Sequence, residues 1–189
     1  MDKVFNLIIL GPQGSGKGTQ AELLQKKLSA ALFGAGDTLR DIAKQNTELG
    51  RLVHQTINVE GKLLEPELIT RVMKERIQTA PKDKNVIIEG YPRSVSQYEL
   101  FKQFWTVLNR GDFSALFIDL GEEDAVKRLM LRKRIDDTES AIRQRLQLFY
   151  SETLPMVKAM EVDGKVIRIN GAPSIEEVHK EILEKLNLK

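Results

Sequence analysis

Residues 4–19 read VFNLIILGPQGSGKGT. The apolar run Val4–Leu10 has the length of a buried strand. GPQGSGKGT, Gly11–Thr19, is a glycine-rich loop ending in GK, and the stretch from Thr19 to Leu28 is helix-forming. Strand, loop and helix in this order make a phosphate-binding loop. Gly11, Gly14 and Gly16 let successive amides approach phosphate oxygens, and the helix that follows adds the positive end of its dipole. The backbone from Gly14 through Ser15, Gly16 and Gly18 to Thr19 is thus the expected cradle for a nucleoside triphosphate. Lys17 is placed to follow charge on its β and γ phosphates. Gly18 stands where Ser or Thr is usual, so the hydroxyl falls on Thr19, a candidate ligand for magnesium directly or through water.

The rest of the composition narrows the class. A chain of 189 residues suits one domain with a substantial core. With 29 Lys and Arg against 27 Asp and Glu, the formal charge of +2 does not point to a nucleic-acid binder. There is no cysteine and there are two histidines, which excludes disulfides and thiolate sites and argues against zinc. No apolar run approaches a membrane span and no leader pattern opens the chain. The expectation is a cytoplasmic monomer that touches neither membrane nor nucleic acid.

Further strands are expected at 30–35, 85–91, 115–120 and 165–170, with helices between them, giving a doubly wound parallel α/β domain. Residues 38–80 lack a clear strand and read as a helical insertion, punctuated by Gly50, Gly61 and Pro66, that carries a second substrate. Asp37 is placed to cap a helix starting near Thr38, with Arg40 in its first turn. Glu89 closes the apolar run of the third strand at its carboxyl end, where open α/β sheets bind ligands. It is a candidate magnesium carboxylate, Asp119 is a second, and Arg93 just beyond Glu89 is able to grip phosphate in bidentate fashion.

Tyr98, Phe101, Phe104 and Trp105 form an aromatic stripe on a helix from Ser94 to about Leu108, read as core. Lys127 to Arg145 is the densest charge in the chain. It is read as an arginine clamp for phosphoryl transfer, where one arginine contributes roughly 10³-fold or more. A helix from Thr138 to about Val162 is expected to be interrupted or bent at Pro155. Gly171–Pro173 is a tight loop able to meet a nucleobase, and Ser174 with Glu177 forms a capping box for the last helix.

GPQGSGKGTQ, GAGDTLR, GKLLEPELI, EGYPRSVSQ and RKRIDDTESAIRQRL, in this order and spacing, resemble the adenylate kinase family of nucleoside monophosphate kinases. The resemblance covers nearly the whole chain. It implies a three-layer P-loop NTPase fold, a five-stranded parallel sheet of order 2-3-1-4-5 with helices on both faces. It also implies a monophosphate-binding segment near 36–65 and a minimal lid near 132–138. The implied activity is reversible phosphoryl transfer from Mg-ATP to AMP, giving two ADP. Gly14 to Thr19, Arg128, Arg132, Gly171 and Pro173 are implied on ATP. Within that set Arg132 lies against the adenine, Arg128 is the phosphate-binding neighbour, and the loop Gly171–Pro173 contacts the adenine through its backbone. Ala35, Arg40, Lys62, Leu63, Leu64, Gly90, Arg93 and Gln97 are implied on AMP. Lys17, Arg93, Arg134 and Arg145 are implied at the transferring phosphoryl group, with Asp136 and Asp137 in the lid's closing set.

Three departures stand out. Ala35 replaces the Thr of the TGD pattern, as in relatives that prefer UMP and CMP, whereas Gln97 matches the adenine-reading form. AMP is the favoured acceptor because Gln97 carries both a donor and an acceptor, and a UMP/CMP kinase is the alternative. EGYPR replaces DGFPR, which moves the carboxylate out by one methylene. Only Lys133 separates Arg132 from Arg134, so the lid is short. This leaves open a leak of ATP to water, or a nucleotide-binding relative with weak kinase activity. The absence of NKxD argues against a guanine-specific switch.

Overall fold

Five apolar runs, each flanked by turn-forming residues, become five strands in the computed structural model, which describes residues 4–132 and 138–188. They are β1 (Asn6–Leu10), β2 (Ala31–Gly34), β3 (Val86–Glu89), β4 (Ser114–Asp119) and β5 (Val166–Asn170). Their order is β2-β3-β1-β4-β5 and every pairing is parallel, as the resemblance implied. Each lies within two residues of its expected bounds.

Strand side chains alternate between faces, and a parallel sheet buried on both sides must find apolar cover for each set. Leu7 and Ile9 pack with Ala21 and Leu24 of α1 (Lys17–Leu28) and with Val178 and Ile182 of α9 (Ile175–Lys185). Ile8 and Leu10 face a larger core on the other side. That core is built on α4 (Pro66–Ile77), α5 (Val95–Leu108) and α8 (Leu154–Val162). A smaller cluster joins α6 (Glu122–Arg132) to α7 (Glu139–Leu148) through Ala125, Leu129, Ile142 and Leu146.

The insertion after β2 is helical, as expected: α2 (Ala35–Ala43), α3 (Glu48–Val53), a π-helical turn His54–Val59, then α4. Two local readings change. The first of these helices starts at Ala35 with Gly34 as its N-cap, so Asp37 does not cap it but sits in its first turn and pairs with Arg40. Gly50 is no break. It lies inside α3, where a Cβ would stand 2.2 Å from the Gln45 carbonyl oxygen, so it is glycine because the chain passes too close for a side chain. Pro155 does interrupt the long helix, through a π-helical turn, Phe149–Thr153, placed just before the ring that can neither donate an N–H nor tolerate the carbonyl one turn back. The Ser174 and Glu177 capping box is present in both directions.

The aromatic stripe is core. Phe101 packs against Phe104, Trp105 and Phe113 at ring distances of 5.1, 5.2 and 5.1 Å, and against Tyr91 at 6.1 Å. Tyr91 is buried, and its hydroxyl meets Thr70 Oγ1 at 2.7 Å. Burial raises the pKa of this phenol well above its ordinary value. The pair ties the turn after β3 to α4. Replacing Thr70 with Val strands a buried hydroxyl, so Thr70→Val is expected to cost about 1–3 kcal/mol in urea unfolding, and adding Tyr91→Phe is expected to recover most of that loss.

Gln20, buried in α1, donates from Nε2 to the Ile175 carbonyl (2.9 Å) and faces His179 Nδ1 with Oε1 (2.9 Å). Because Gln20 Oε1 only accepts, His179 Nδ1 carries the hydrogen. Burial, then the charge of Lys27, lowers the His179 pKa from 6.5. The folded chain therefore binds fewer protons there than the unfolded chain. The stability this residue contributes is present above pH ~6.5 and is lost as pH falls through the lower folded value. An NMR titration of the ring is expected to show its midpoint below that of a free histidine.

Candidate active site

All five strands end on one edge of the sheet, and the candidate residues gather there. At Gly11 a Cβ would stand 2.5 Å from the Ile118 carbonyl oxygen and 2.6 Å from Ser15 Oγ. At Gly14, with φ +86°, it would stand 2.9 Å from the Ala125 carbonyl oxygen. The loop is therefore held against the end of β4 and the side of α6 at distances that only glycine allows. Gly16, at φ +84°, is the N-cap of α1, and no side chain caps that helix. Its first amides are left for an anion. The helix starts at Lys17 rather than Thr19, so the lysine belongs to its first turn. Lys17 Nζ lies 3.4 Å from the Pro12 carbonyl oxygen and 3.9 Å from Glu89 Oε1. Ser15 Oγ is buried with no hydrogen-bond partner, Gly18 and Thr19 are exposed.

Arg93 is the most constrained cation of the site. Its backbone N–H donates to Gln97 Oε1 (2.8 Å), its carbonyl accepts from Thr153 Oγ1 (2.9 Å), and its Nε donates to the Gly90 carbonyl (2.7 Å). Gly90 has φ +71°, and a Cβ there would meet Arg93 Nη2 at 2.9 Å. Burial lowers the guanidinium pKa, Glu89 opposes that, and Arg40 adds to it by like charge. Arg93 remains protonated, a desolvated cation in the field of one carboxylate and a second arginine. Arg40 itself is half exposed and leans on Asp37.

Beside this corner lies a cleft of about 490 Å³. Lys62, Leu63 and Leu64 form one wall, Ser94 and Gln97 another, and Leu148, Ser151 and Pro155 the third. Thr153, in the π-helical turn between Leu148 and Pro155, carries the hydrogen bond to Arg93 that sequence reading missed, for the motif holds no sign of a partner sixty residues away. Gln97 is buried, and because Arg93 supplies a donor, the glutamine oxygen must face it and the amide nitrogen is turned the other way. Ala35 does not reach the cleft. It is packed in the large core at the start of α2, and so is a weaker marker of acceptor preference than the TGD comparison made it.

The basic stretch splits up. Arg143 donates to Glu139 at 3.0 and 2.8 Å on an exposed helix face and takes no part in a clamp. Arg145 is half buried on α7. Arg128 sends its guanidinium to the loop after β5, with Nη1 2.8 Å from the Gly171 carbonyl oxygen and Nη2 2.7 and 3.3 Å from those of Ala172 and Pro173. Arg128 thus sits on the loop after β5, beside the residues Gly171 and Pro173 that share its expected ATP-binding set. Lys133, Arg134, Asp136, Asp137 and the side chain of Arg132 lie outside the described residues.

The candidate carboxylates also separate. Glu89 stands at the end of β3 beside Lys17, whereas Asp119 is spent on an exposed ion pair with Arg168 at 3.1 Å. Among the described residues no group of three or more His, Cys, Asp or Glu is gathered as for a metal. One carboxylate beside a phosphate loop is nonetheless the donor set that suits magnesium, which takes one or two carboxylates and fills its remaining positions with water and substrate phosphates. No helix among the described residues is long and apolar enough to cross a membrane.

Comparison with known proteins agrees with this geometry. The adenylate kinase family profile matches residues 9–165. Adenylate kinase 1 of Nostoc sp. is 35% identical over 93% of this chain and 95% of its own length. The adenylate kinase of Corynebacterium diphtheriae is 34% identical and that of Phocaeicola vulgatus 33%, each over 95% of this chain and 97% of the relative. With the phosphate loop, the arginine corner and the cleft all falling in segments that these relatives share, the chain belongs to the adenylate kinase family.

Proposed function

We propose that this chain catalyses reversible phosphoryl transfer from Mg-ATP to AMP, giving two ADP. The observation that carries the reading is the meeting of two anion-binding sets on one sheet edge. Lys17 of the phosphate loop meets Glu89, the charges of Glu89 and Arg40 act on Arg93, and Arg93 directly precedes Ser94 in the wall of a cleft of about 490 Å³.

In this reading the amides from Gly14 to Thr19 hold the ATP phosphates and Lys17 follows the transferring group. Arg40 and the two terminal nitrogens of Arg93 take the AMP phosphate. Arg145 from α7, and Arg134 beyond the described residues, reach the same group. No side chain becomes covalently modified. Donor and acceptor phosphates are held in line while fixed cations absorb charge. Magnesium, when bound with ATP, neutralises charge on its β and γ phosphates. Glu89 and Thr19 are the residues that would hold it, in part through water. Residues 36–65 serve as the monophosphate-binding segment and 132–138 as a minimal lid. This reading takes the chain to act as a monomer.

The backbone from Lys62 to Leu64 and the amide of Gln97 face the acceptor base. With its oxygen fixed on Arg93, Gln97 presents N–H donors to the cleft. A donor matches the unprotonated ring nitrogen of adenine or cytosine and opposes the ring N–H of uracil or guanine. AMP is therefore favoured over UMP. The half-exposed Ile175 at the start of α9 and the loop Gly171–Pro173 make the seat for the ATP base. Arg128 belongs to that seat.

A coupled assay of ADP formation from ATP and AMP tests the reading. Lys17→Met and Arg93→Ala are each expected to lower kcat/KM by roughly 10²-fold or more while the circular dichroism spectrum stays unchanged. Near-normal turnover in either variant removes that residue from the mechanism. In a panel of monophosphates, UMP and GMP are expected to fall roughly tenfold or more below AMP, the cost of one mispaired buried polar group. Faster turnover of UMP than AMP sinks the role given to Gln97.

A further inference from the structure

The loop Gly171–Pro173 has an unusual hydrogen-bond balance. The Gly171 N–H donates to the Asp119 carbonyl (2.7 Å) and the Ala172 N–H to Asn170 Oδ1 (3.1 Å). Pro173 has no N–H, and the Ser174 N–H is taken by Glu177 in the capping box. A Cβ on Gly171 would stand 2.6 Å from the Asp119 carbonyl oxygen, so the loop is seated tightly on the end of β4. What it presents outward is three consecutive carbonyl oxygens and no free donor. Its partner must therefore be a donor, and a single guanidinium, that of Arg128, meets all three.

We propose that Arg128 is a built-in occupant of the donor-base seat, which the adenine of ATP enters by exchange: its amino group takes over a loop carbonyl as the guanidinium withdraws. This rests on the reading above that the loop receives the ATP base. Arg128 is half buried, and its helix α6 also touches the phosphate loop through the Ala125 carbonyl beside Gly14. Release of the guanidinium thus starts on an element that the triphosphate already contacts. In the nucleotide-free chain the carbonyls stay paired to a cation, and the apparent affinity for ATP is reduced by the fraction of molecules in which Arg128 is seated. Because the free chain is the common reference for every nucleotide, the exchange weakens all donors alike.

The test is NMR of the chain labelled with ¹⁵N-arginine, with the Arg128 guanidinium signals assigned by their absence in Arg128→Lys. In the free chain those N–H groups are expected to exchange with water roughly tenfold more slowly than those of the exposed Arg71, as for a hydrogen-bonded group. Mg-ATP is expected to abolish that protection and shift the amides of Gly171 and Ala172. Magnesium tripolyphosphate, which lacks a base, is expected to leave the protection in place. Fast exchange in the free chain overturns the proposal, as does protection that survives ATP while the loop amides shift, or protection that tripolyphosphate removes as fully as ATP. If ATP moves neither Arg128 nor the loop amides, the base-seat reading itself falls and the exchange falls with it.

Discussion

The closeness of the phosphate loop to its neighbours is the constraint from which the site follows. Gly11 lies against the end of β4 and Gly14 against α6, each where a Cβ would overlap a carbonyl oxygen. A loop held that tightly cannot choose its own path, so the first turn of α1, and Lys17 with it, is aimed by β4 and α6 as much as by β1. The cost is conformational: three glycines at positive φ, Gly11, Gly14 and Gly16, and a buried Ser15 hydroxyl with no partner. An anion on the uncapped amides of α1 offsets it, because those amides otherwise have no acceptor within the helix.

Arg93 shows the same economy by different means. Its amide, carbonyl and Nε are each engaged by a separate element, so its two terminal nitrogens are delivered with little conformational freedom left to lose. Preorganisation is bought here against burial, which lowers the guanidinium pKa, and Glu89 is the partner that opposes this. Gln97 gives the arrangement a further property. The side chain that lines the cleft also holds the Arg93 backbone, so the groups proposed for the acceptor's base and for its phosphate are in direct contact.

Strands and helices were legible because they rest on local signals, apolar runs, a capping box and an aromatic stripe, whereas the sheet order came only with the family resemblance that five motifs in series carry. The errors turn on partners that the local pattern does not announce, some close in the chain and some far along it. Gly50 looked like a break and is a close approach to Gln45. Asp119 looked like a metal carboxylate and is paired with Arg168, forty-nine residues on. Arg128 and Arg143 looked alike within one basic run. One folds onto a loop more than forty residues away, and the other onto its own helix. Asp37 is a local case, misread because the preceding glycine takes the capping position with no side chain to announce it.

The deeper regularity is topological. Parallel strands put all their carboxyl ends on one edge, so residues a few positions beyond each strand become neighbours. Lys17 follows β1, Arg40 follows β2, Arg93 follows β3, and Arg128 and Arg145 lie on the helices after β4. The first three strands thus deliver Lys17, Arg40 and Arg93 to one edge although they are far apart in the chain, whereas Arg128 reaches the loop after β5. The order β2-β3-β1 adds the detail: Arg93 arrives between the cations of its two neighbours, with Arg40 on one side and Lys17 on the other. Burial does most to lower the Arg93 pKa, and the further push from Arg40 and the presence of Glu89 beside Lys17 follow from that order. Like charges gathered on one edge repel, and Glu89 beside Lys17 and Asp37 beside Arg40 are the carboxylates that offset this within the chain.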